Sequence, residues 1–483
     1  MKEFNNNLVK YDFEMKKIKL FDSFAGIGAL HQALKELGVP VKLVGISEID
    51  ADAIISYVAV HKIDISKIES LDIQQMRDYL IARNIGYDFK KNKSSIPRMK
   101  KDKLELLYKS CIATNNLGDI SLINTNDIPN FDLFNMSFPC TDLSIAGKQQ
   151  GMIDEEGNKT RSGLYVEGIR IIKNKKPKYI MIENVKNLIG KKFINDFYSI
   201  VNEIESYGYK CYYPKKENGQ PICLNAKDYG IPQNRERIYV ICIRNDVDDK
   251  NFNFPKGFDS RLRLKDVLEE NVDNKYYLSQ EVQNRFKRND IEDVDRNELN
   301  IVGTTAPDFR TIGDRDKTYG INGIMSTLIA TDYKQPKQIL EETNKNFFID
   351  KHNRIQPFDT KENDIQWDTS GKGSNSQQDR AYYQDKLSPT LSCCNSNGDK
   401  SQVILTNKED IKETNIATNY RIRKLTPKEC WRLMGFRDEC IDRCIEIGIS
   451  ESQLYKQAGN SIVVNVLYYI FKELFKDYII TNN

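Results

Sequence analysis

Lys17-Ile-Lys-Leu-Phe21, Phe24-Ala-Gly-Ile-Gly28, Val41-Lys-Leu-Val-Gly-Ile46 and Ser47-Glu48-Ile-Asp50 decide the fold. The first piece is a short apolar run with strand character, and the second is a glycine turn. Leu30, Ala33, Leu34 and Leu37 follow at helical spacing until Gly38-Val-Pro40 stops the helix. The third piece is a second strand. A strand, helix and strand within about thirty residues open a doubly wound sheet. Strand-like runs recur at Phe131–Ser137, Tyr179–Ile182 and Ile238–Ile243, each beside helical periodicity. The expected class is α/β, with a doubly wound, mostly parallel, Rossmann-like sheet up to about residue 257.

Composition narrows the function. A chain of 483 residues with 39% hydrophobic content, 29% charged content and a mean hydropathy of -0.59 reads as soluble, with room for two or three domains. It has no apolar stretch of about eighteen residues, and its polar opening, Met1-Lys-Glu-Phe-Asn-Asn-Asn, lacks a signal-peptide pattern. Ten scattered Cys, without a CxxC pair, and three His argue against a disulfide scaffold or a metal centre, and for a reducing cytoplasm. Cys393-Cys394 and the Cys440/Cys444 pair read as ordinary thiols. A net charge of +3 makes no global case for nucleic acid. Local clustering at Lys90, Lys91, Lys93, Arg98, Lys100, Lys101 and Lys103 suits a solvated loop or a phosphate-contacting patch.

The region from 258 to 415 loses the βα rhythm and is rich in Asn, Asp, Gly and Ser, as in a separate loop-rich unit with short strands. Tyr319 to Leu328 and Tyr382 to Leu391 share a spacing, each ahead of a strand-like end, which raises a duplication there. Thr426-Pro427 opens a capped helix that Gly435 closes, and Gln457-Ala-Gly-Asn460-Ser461 precedes a capped amphipathic helix.

Several residue types then point to chemistry. The turn at Phe24, Ala25, Gly26, Ile27 and Gly28 lets backbone amides approach a ligand closely, although the same pattern serves a tight βα turn. Glu48 stands where ribose hydroxyls are held in such sheets, and Asp119 could take an adenine amino group. Pro139 fixes the backbone just before the Cys140 thiol, a candidate nucleophile or a buried structural thiol. Glu183, at a strand's carboxyl end, could share a proton with a ring nitrogen or simply cap a helix. Arg235 and Arg237 lie two apart leading into a strand, so both guanidiniums could enter one cleft.

In this order the blocks resemble the DNA (cytosine-5)-methyltransferases of the prokaryotic restriction-modification type. The residues concerned are Phe21 to Gly28, Phe138-Pro139-Cys140, Glu183-Asn184-Val185, Gln233-x-Arg235-x-Arg237, Arg423 to Phe436, and Gly459-Asn460-Ser461. The resemblance implies S-adenosyl-L-methionine as methyl donor, S-adenosyl-L-homocysteine as product, and double-stranded DNA as substrate. It implies cofactor contacts at Phe24 to Gly28, Glu48, Ile49, Asp119, Ile120, Pro139, Leu164, Asn460, Ser461 and Val463. Cys140, Glu183, Arg235 and Arg237 become catalytic. Gln233, Asn184, Ser144, Lys148, Arg380, Ser388 and Thr390 become DNA contacts. It divides the chain into a catalytic domain at 1–257 with a basic insert near 85–110, a target-recognition domain at 258–415, and a returning segment at 416–483. A monomer is expected, serving beside a separate restriction endonuclease or as a solitary or phage enzyme.

Rival readings are weaker. Exocyclic-amino methyltransferases carry an Asp/Asn/Ser-Pro-Pro-aromatic tetrapeptide that this chain lacks. A tRNA cytosine-5 methyltransferase would not be expected to carry so long an insert. A silent DNA-binding module has no use for Cys140 and Glu183, and a nicotinamide dehydrogenase shares only the opening.

Overall fold

Alternation along the strands builds a sheet with two buried faces. In the computed structural model, β1 (Ile18–Ser23), β2 (Val41–Ser47), β3 (Leu133–Met136), β4 (Tyr179–Val185), β5 (Tyr209–Tyr212) and β6 (Glu236–Arg244) lie in the order β2-β1-β3-β4-β6-β5. Leu224–Asn225 pairs on β6 as a seventh strand. The structure describes residues 17–89, 91–139, 162–262, 264–277 and 420–480. It also describes the short segments 287–288, 301–304, 317–319, 339–342, 347–349, 355–357, 381–383, 388–389 and 402–404. β2, β1, β3 and β4 run parallel, while β6 is antiparallel to both neighbours. The β6 run was expected to join a parallel α/β pattern, but nothing in its composition reveals its direction.

Period two sends alternate residues to opposite faces. Tyr239, Ile241 and Ile243 of β6 enter one core with Leu20 and Met181, whereas Ile238, Val240 and Cys242 enter the other with Phe21 and Ile180. The first face is covered by α1 (Ala29–Glu36), α2 (Ala51–His61), α3 (Ile73–Ile81), α4 (Lys101–Ala113) and the C-terminal helices. The second is covered by α5 (Tyr165–Lys175) and α6 (Ile194–Ser206). Cys211 and Cys242 are register partners on β5 and β6 and form a disulfide, a pairing the sequence did not signal.

The basic stretch is ordered where it is described. Asp72 caps α3 with a full capping box, a hairpin joins Tyr87–Asp88 to Lys93–Ser94, and α4 follows. Leu104 and Leu107 are buried, so Lys101 and Lys103 stand on a packed helix, while Lys91 and Lys93 lie exposed in the hairpin. At the chain's end come α7 (Pro427–Arg432), α8 (Asp438–Glu446), α9 (Glu451–Asn460) and α10 (Val464–Leu474). Thr426 and Glu429 form the expected capping box. The cap expected before α10 is absent: Val463 stands there with no side-chain bond, and the Gln457–Asn460 segment belongs to α9.

Composition changes at 258, yet 264–277 packs on the C-terminal helices: Leu264 is buried, and Arg432 donates to the Val267 and Leu268 carbonyls. β7 (Tyr420–Lys424) pairs with both Ile339–Glu342 and Gln402–Ile404. Most of the two similar segments lies outside the described residues. Their described strands pair differently, since Ala381–Tyr383 lies on Gln402–Ile404 while Lys317–Tyr319 and Ile339–Glu342 sit in separate sheets. Among the described residues no helix is long and apolar enough to cross a membrane, and no His, Cys, Asp and Glu cluster suits a metal.

Candidate functional site

The candidate residues gather along one rim. The β1 turn, Glu48 after β2, Phe138-Pro139 after β3 and Glu183 near the end of β4 all lie at the carboxyl ends of parallel strands, where ligands bind in such sheets. Because β6 is antiparallel, its beginning comes to the same rim: Arg237 lies opposite Val185.

The glycine turn is held against Glu48. Phe24, Gly26 and Gly28 have φ of 52°, 53° and 81°, which curls the chain so that the Gly26 amide donates to Glu48 Oε2 at 2.8 Å. The amides of Ile49 and Asp50 each donate to Glu48 Oε1 at 2.8 Å. Burial pushes the Glu48 carboxyl up, with Asp50 adding to the effect and the three amides opposing it. A carboxylate has about four acceptor positions, and one on Oε2 remains for a hydroxyl. Ile49 and Phe24 are half-buried beside it, and Ala25 and Ile27 are buried. Asp119 is less free: its carboxylate accepts from Asn84 Nδ2 at 2.9 Å and from the Ser121 amide at 3.0 Å, capping the turn that carries buried Ile120. These carboxylate acceptors suit a nucleoside with ribose hydroxyls and a flat base.

Across the rim, Arg237 Nε stands 3.1 Å from Glu183 Oε1, with side-chain exposures of 15% and 12%. Burial raises the Glu183 pKa, and the charges of Arg237 and Arg235 oppose that rise. Asn184, expected at DNA, is buried; its Nδ2 donates to the Phe138 carbonyl at 3.3 Å and braces the chain entering Pro139.

Arg235 and Gln233 also depart from expectation. Arg235 is 4% exposed and donates to the Ser461 carbonyl at 2.8 Å, anchoring the returning segment, while its charge also acts on Glu183 beside Arg237. Gln233 is fully buried and donates to the Leu433 carbonyl at 2.6 Å, not outward to DNA. Ser388-Pro389 pairs in parallel with Gln233-Asn234, which brings the inserted region against this strand. Leu164 begins α5 half-buried, Ser461 and Val463 are buried, and Asn460 is exposed. Cys140, Ser144, Lys148, Arg380 and Thr390 lie outside the described residues.

Two contributors escaped the sequence. Asn135 on β3 donates to Asp22 Oδ1 at 2.6 Å and accepts from Ser137 Oγ at 2.7 Å, tying the β1 turn to the Pro139 loop. Lys456 on α9 reaches Asp50. A buried Asn in an apolar strand was a readable signal for the first; nothing local marked the second.

The family model described as C-5 cytosine-specific DNA methylase matches residues 97–476. Type II methyltransferase M2.ScrFI of Lactococcus lactis subsp. cremoris is 33% identical over 462 residues, covering 95% of this chain and 99% of that protein. Orphan methyltransferase M.SPRI of Bacillus phage SPR is 30% identical over 512 residues, covering 96% and 99%. Type II methyltransferase M.HhaI of Haemophilus parahaemolyticus is 30% identical over 353 residues, covering 73% and 78%.

Proposed function

The chain belongs to the C-5 cytosine-specific DNA methylase family, and on that premise we propose how its residues divide the work. The substrate is a cytosine within a specific duplex sequence, turned out of the helix at a cost of a few kcal/mol. The observation that carries this reading is the half-buried Glu183–Arg237 pair on the same rim as Phe138-Pro139 and the glycine turn.

Cytosine C5 is a poor nucleophile. Addition of the Cys140 thiolate to C6 makes C5 enamine-like. Glu183, whose pKa burial raises, keeps a proton for N3 and so stabilises the electrons pushed into the ring. Arg237 holds Glu183 in place and offers its remaining N–H groups to O2. S-adenosyl-L-methionine supplies an electrophilic methyl group, for which Phe24 to Gly28, Glu48, Ile49, Ile120 and Val463 form the pocket. Loss of the C5 proton then expels the Cys140 thiolate and restores the aromatic ring. Arg235 acts at one remove, holding Ser461 beside that pocket. Residues 258–415 supply base recognition.

The test expresses the full chain, wild type and Cys140→Ala, in a host free of cytosine methylation and sequences its DNA after bisulfite treatment. The expected result is one methylated sequence with the wild type, none with Cys140→Ala, and unchanged binding of S-adenosyl-L-homocysteine. Methylation surviving in Cys140→Ala would overturn the mechanism.

A further inference from the structure

We propose that Lys456 is a positioning residue for the cofactor, acting through Asp50 on the main-chain amides that hold the Glu48 carboxylate. The inference rests on reading Glu48 as the cofactor's hydroxyl acceptor.

Lys456 Nζ stands 2.5 Å from Asp50 Oδ2. The other oxygen of Asp50 accepts from the Asp52 and Ala53 amides at 3.0 and 3.2 Å, capping α2. The Asp50 amide in turn donates to Glu48 Oε1. Asp50 is therefore fixed on three sides, and a shift of its backbone would swing the carboxylate that faces the ligand. The helix cap alone could set α2, but it leaves Oδ2 and its charge unopposed two residues from Glu48. Like charges so close disfavour each other, and Lys456 offsets part of the Asp50 charge beside the oxygen of Glu48 left for a hydroxyl. Its effect on Asp50 is visible: burial pushes that carboxyl up, and Lys456 with the cap amides overrides it to leave the pKa low.

Two further contacts keep α9 and its neighbour in register with α2. Ser56 Oγ donates to Gln457 Oε1 at 3.1 Å, and Arg443 donates to the Ala59 and Val60 carbonyls at 2.7 and 2.8 Å. These hold the middle and the far end of the helix. Lys456 acts from α9 at the end that meets the ligand.

Calorimetry with S-adenosyl-L-homocysteine on the full-length protein tests this, using Glu48→Ala, Lys456→Met, Lys456→Arg and Asp50→Asn. Asparagine still caps α2, so Asp50→Asn removes the charge without melting the helix. Lys456→Met and Asp50→Asn should each weaken binding roughly tenfold, as expected for a lost charged hydrogen bond. Lys456→Arg should recover most of the loss. KM for the cofactor should rise in step while kcat at saturation holds. Wild-type affinity in Lys456→Met and Asp50→Asn alongside a defective Glu48→Ala would overturn this inference alone. Wild-type affinity in Glu48→Ala would instead overturn the reading of Glu48.

Discussion

Glu183 and Arg237 meet diagonally across two antiparallel strands, because Glu183 lies opposite Tyr239 and Arg237 opposite Val185. The contact brings a charged pair between β4 and β6 to the mouth of the rim. Glu183→Gln should keep the fold and lose roughly a hundred- to ten-thousand-fold in methyl transfer. Arg237→Ala should lose activity and also some stability, since it leaves a half-buried carboxylate without its partner. Thermal melts and a tritiated-methyl assay on both variants separate the effects, and a fully active Glu183→Gln would refute the assignment.

The two glycines of the β1 turn should respond differently. A Cβ at Gly26 meets nothing within 4 Å, so Gly26→Ala should cost only the left-handed backbone strain, about 1–2 kcal/mol. At Gly28 a Cβ would collide with His61 Nε2 and with the Tyr57 ring. Gly28→Ala should therefore be the more destabilised by denaturant titration, by about 1–3 kcal/mol of overpacking beyond the strain.

Acid should weaken the molecule from beneath that same turn. Burial depresses the pKa of His31 to about 4 and that of His61 well below 6.5, with nearby cationic charge adding in each case. The unfolded chain therefore gains two protons near pH 6.5 that the folded one refuses. Burial raises Asp22 to about 7, against its bond from Asn135, so the folded chain gains one proton in the same window. Each histidine therefore contributes a loss of stability as the pH drops from about 6.5 towards 4, of up to about 1.4 kcal/mol per pH unit, which the raised carboxyls of Asp22, Glu48 and Glu183 oppose. Urea midpoints against pH should show the wild type losing more stability on acidification than His31→Gln.

Arg423 and Glu429 form a fully buried, two-pronged ion pair with bonds of 2.9 and 2.8 Å. Removing one partner, as in Arg423→Met, should cost about 3–5 kcal/mol. Replacing both with apolar residues should recover much of that loss, less the contribution of the Glu429 capping bonds. Guanidinium unfolding of the single and double variants checks the difference.

Much of the catalytic half was legible because its signals are local. Strand ends, glycine turns and the Thr426–Glu429 cap each depend on a few adjacent residues, and the spacing of Leu30, Ala33 and Leu34 marked α1. What the sequence hid depends on partners far along the chain. Arg235 and Gln233 read as ligand contacts because polar groups that secure a backbone look no different from those that meet a ligand. Strand direction was hidden for a related reason: β6 is apolar on both faces, so its composition is the same whichever way it runs. The ordered core beneath the basic helix α4 was overshadowed by its lysines, although Leu104 and Leu107 carried the signal.

Tyr277 forms an isolated antiparallel bridge with Arg423, the residue locked to Glu429. The outgoing and returning stems of everything between them thus touch at one doorway, which is fastened to the helical side of the rim. Loop-closure entropy grows only logarithmically, about 0.6 kcal/mol for each doubling of length. Evolution can therefore lengthen, shorten or exchange the intervening sequence while the stems and the chemistry behind them stay where they are. With base recognition proposed for residues 258–415, a change of DNA specificity becomes a change of cargo at a fixed dock.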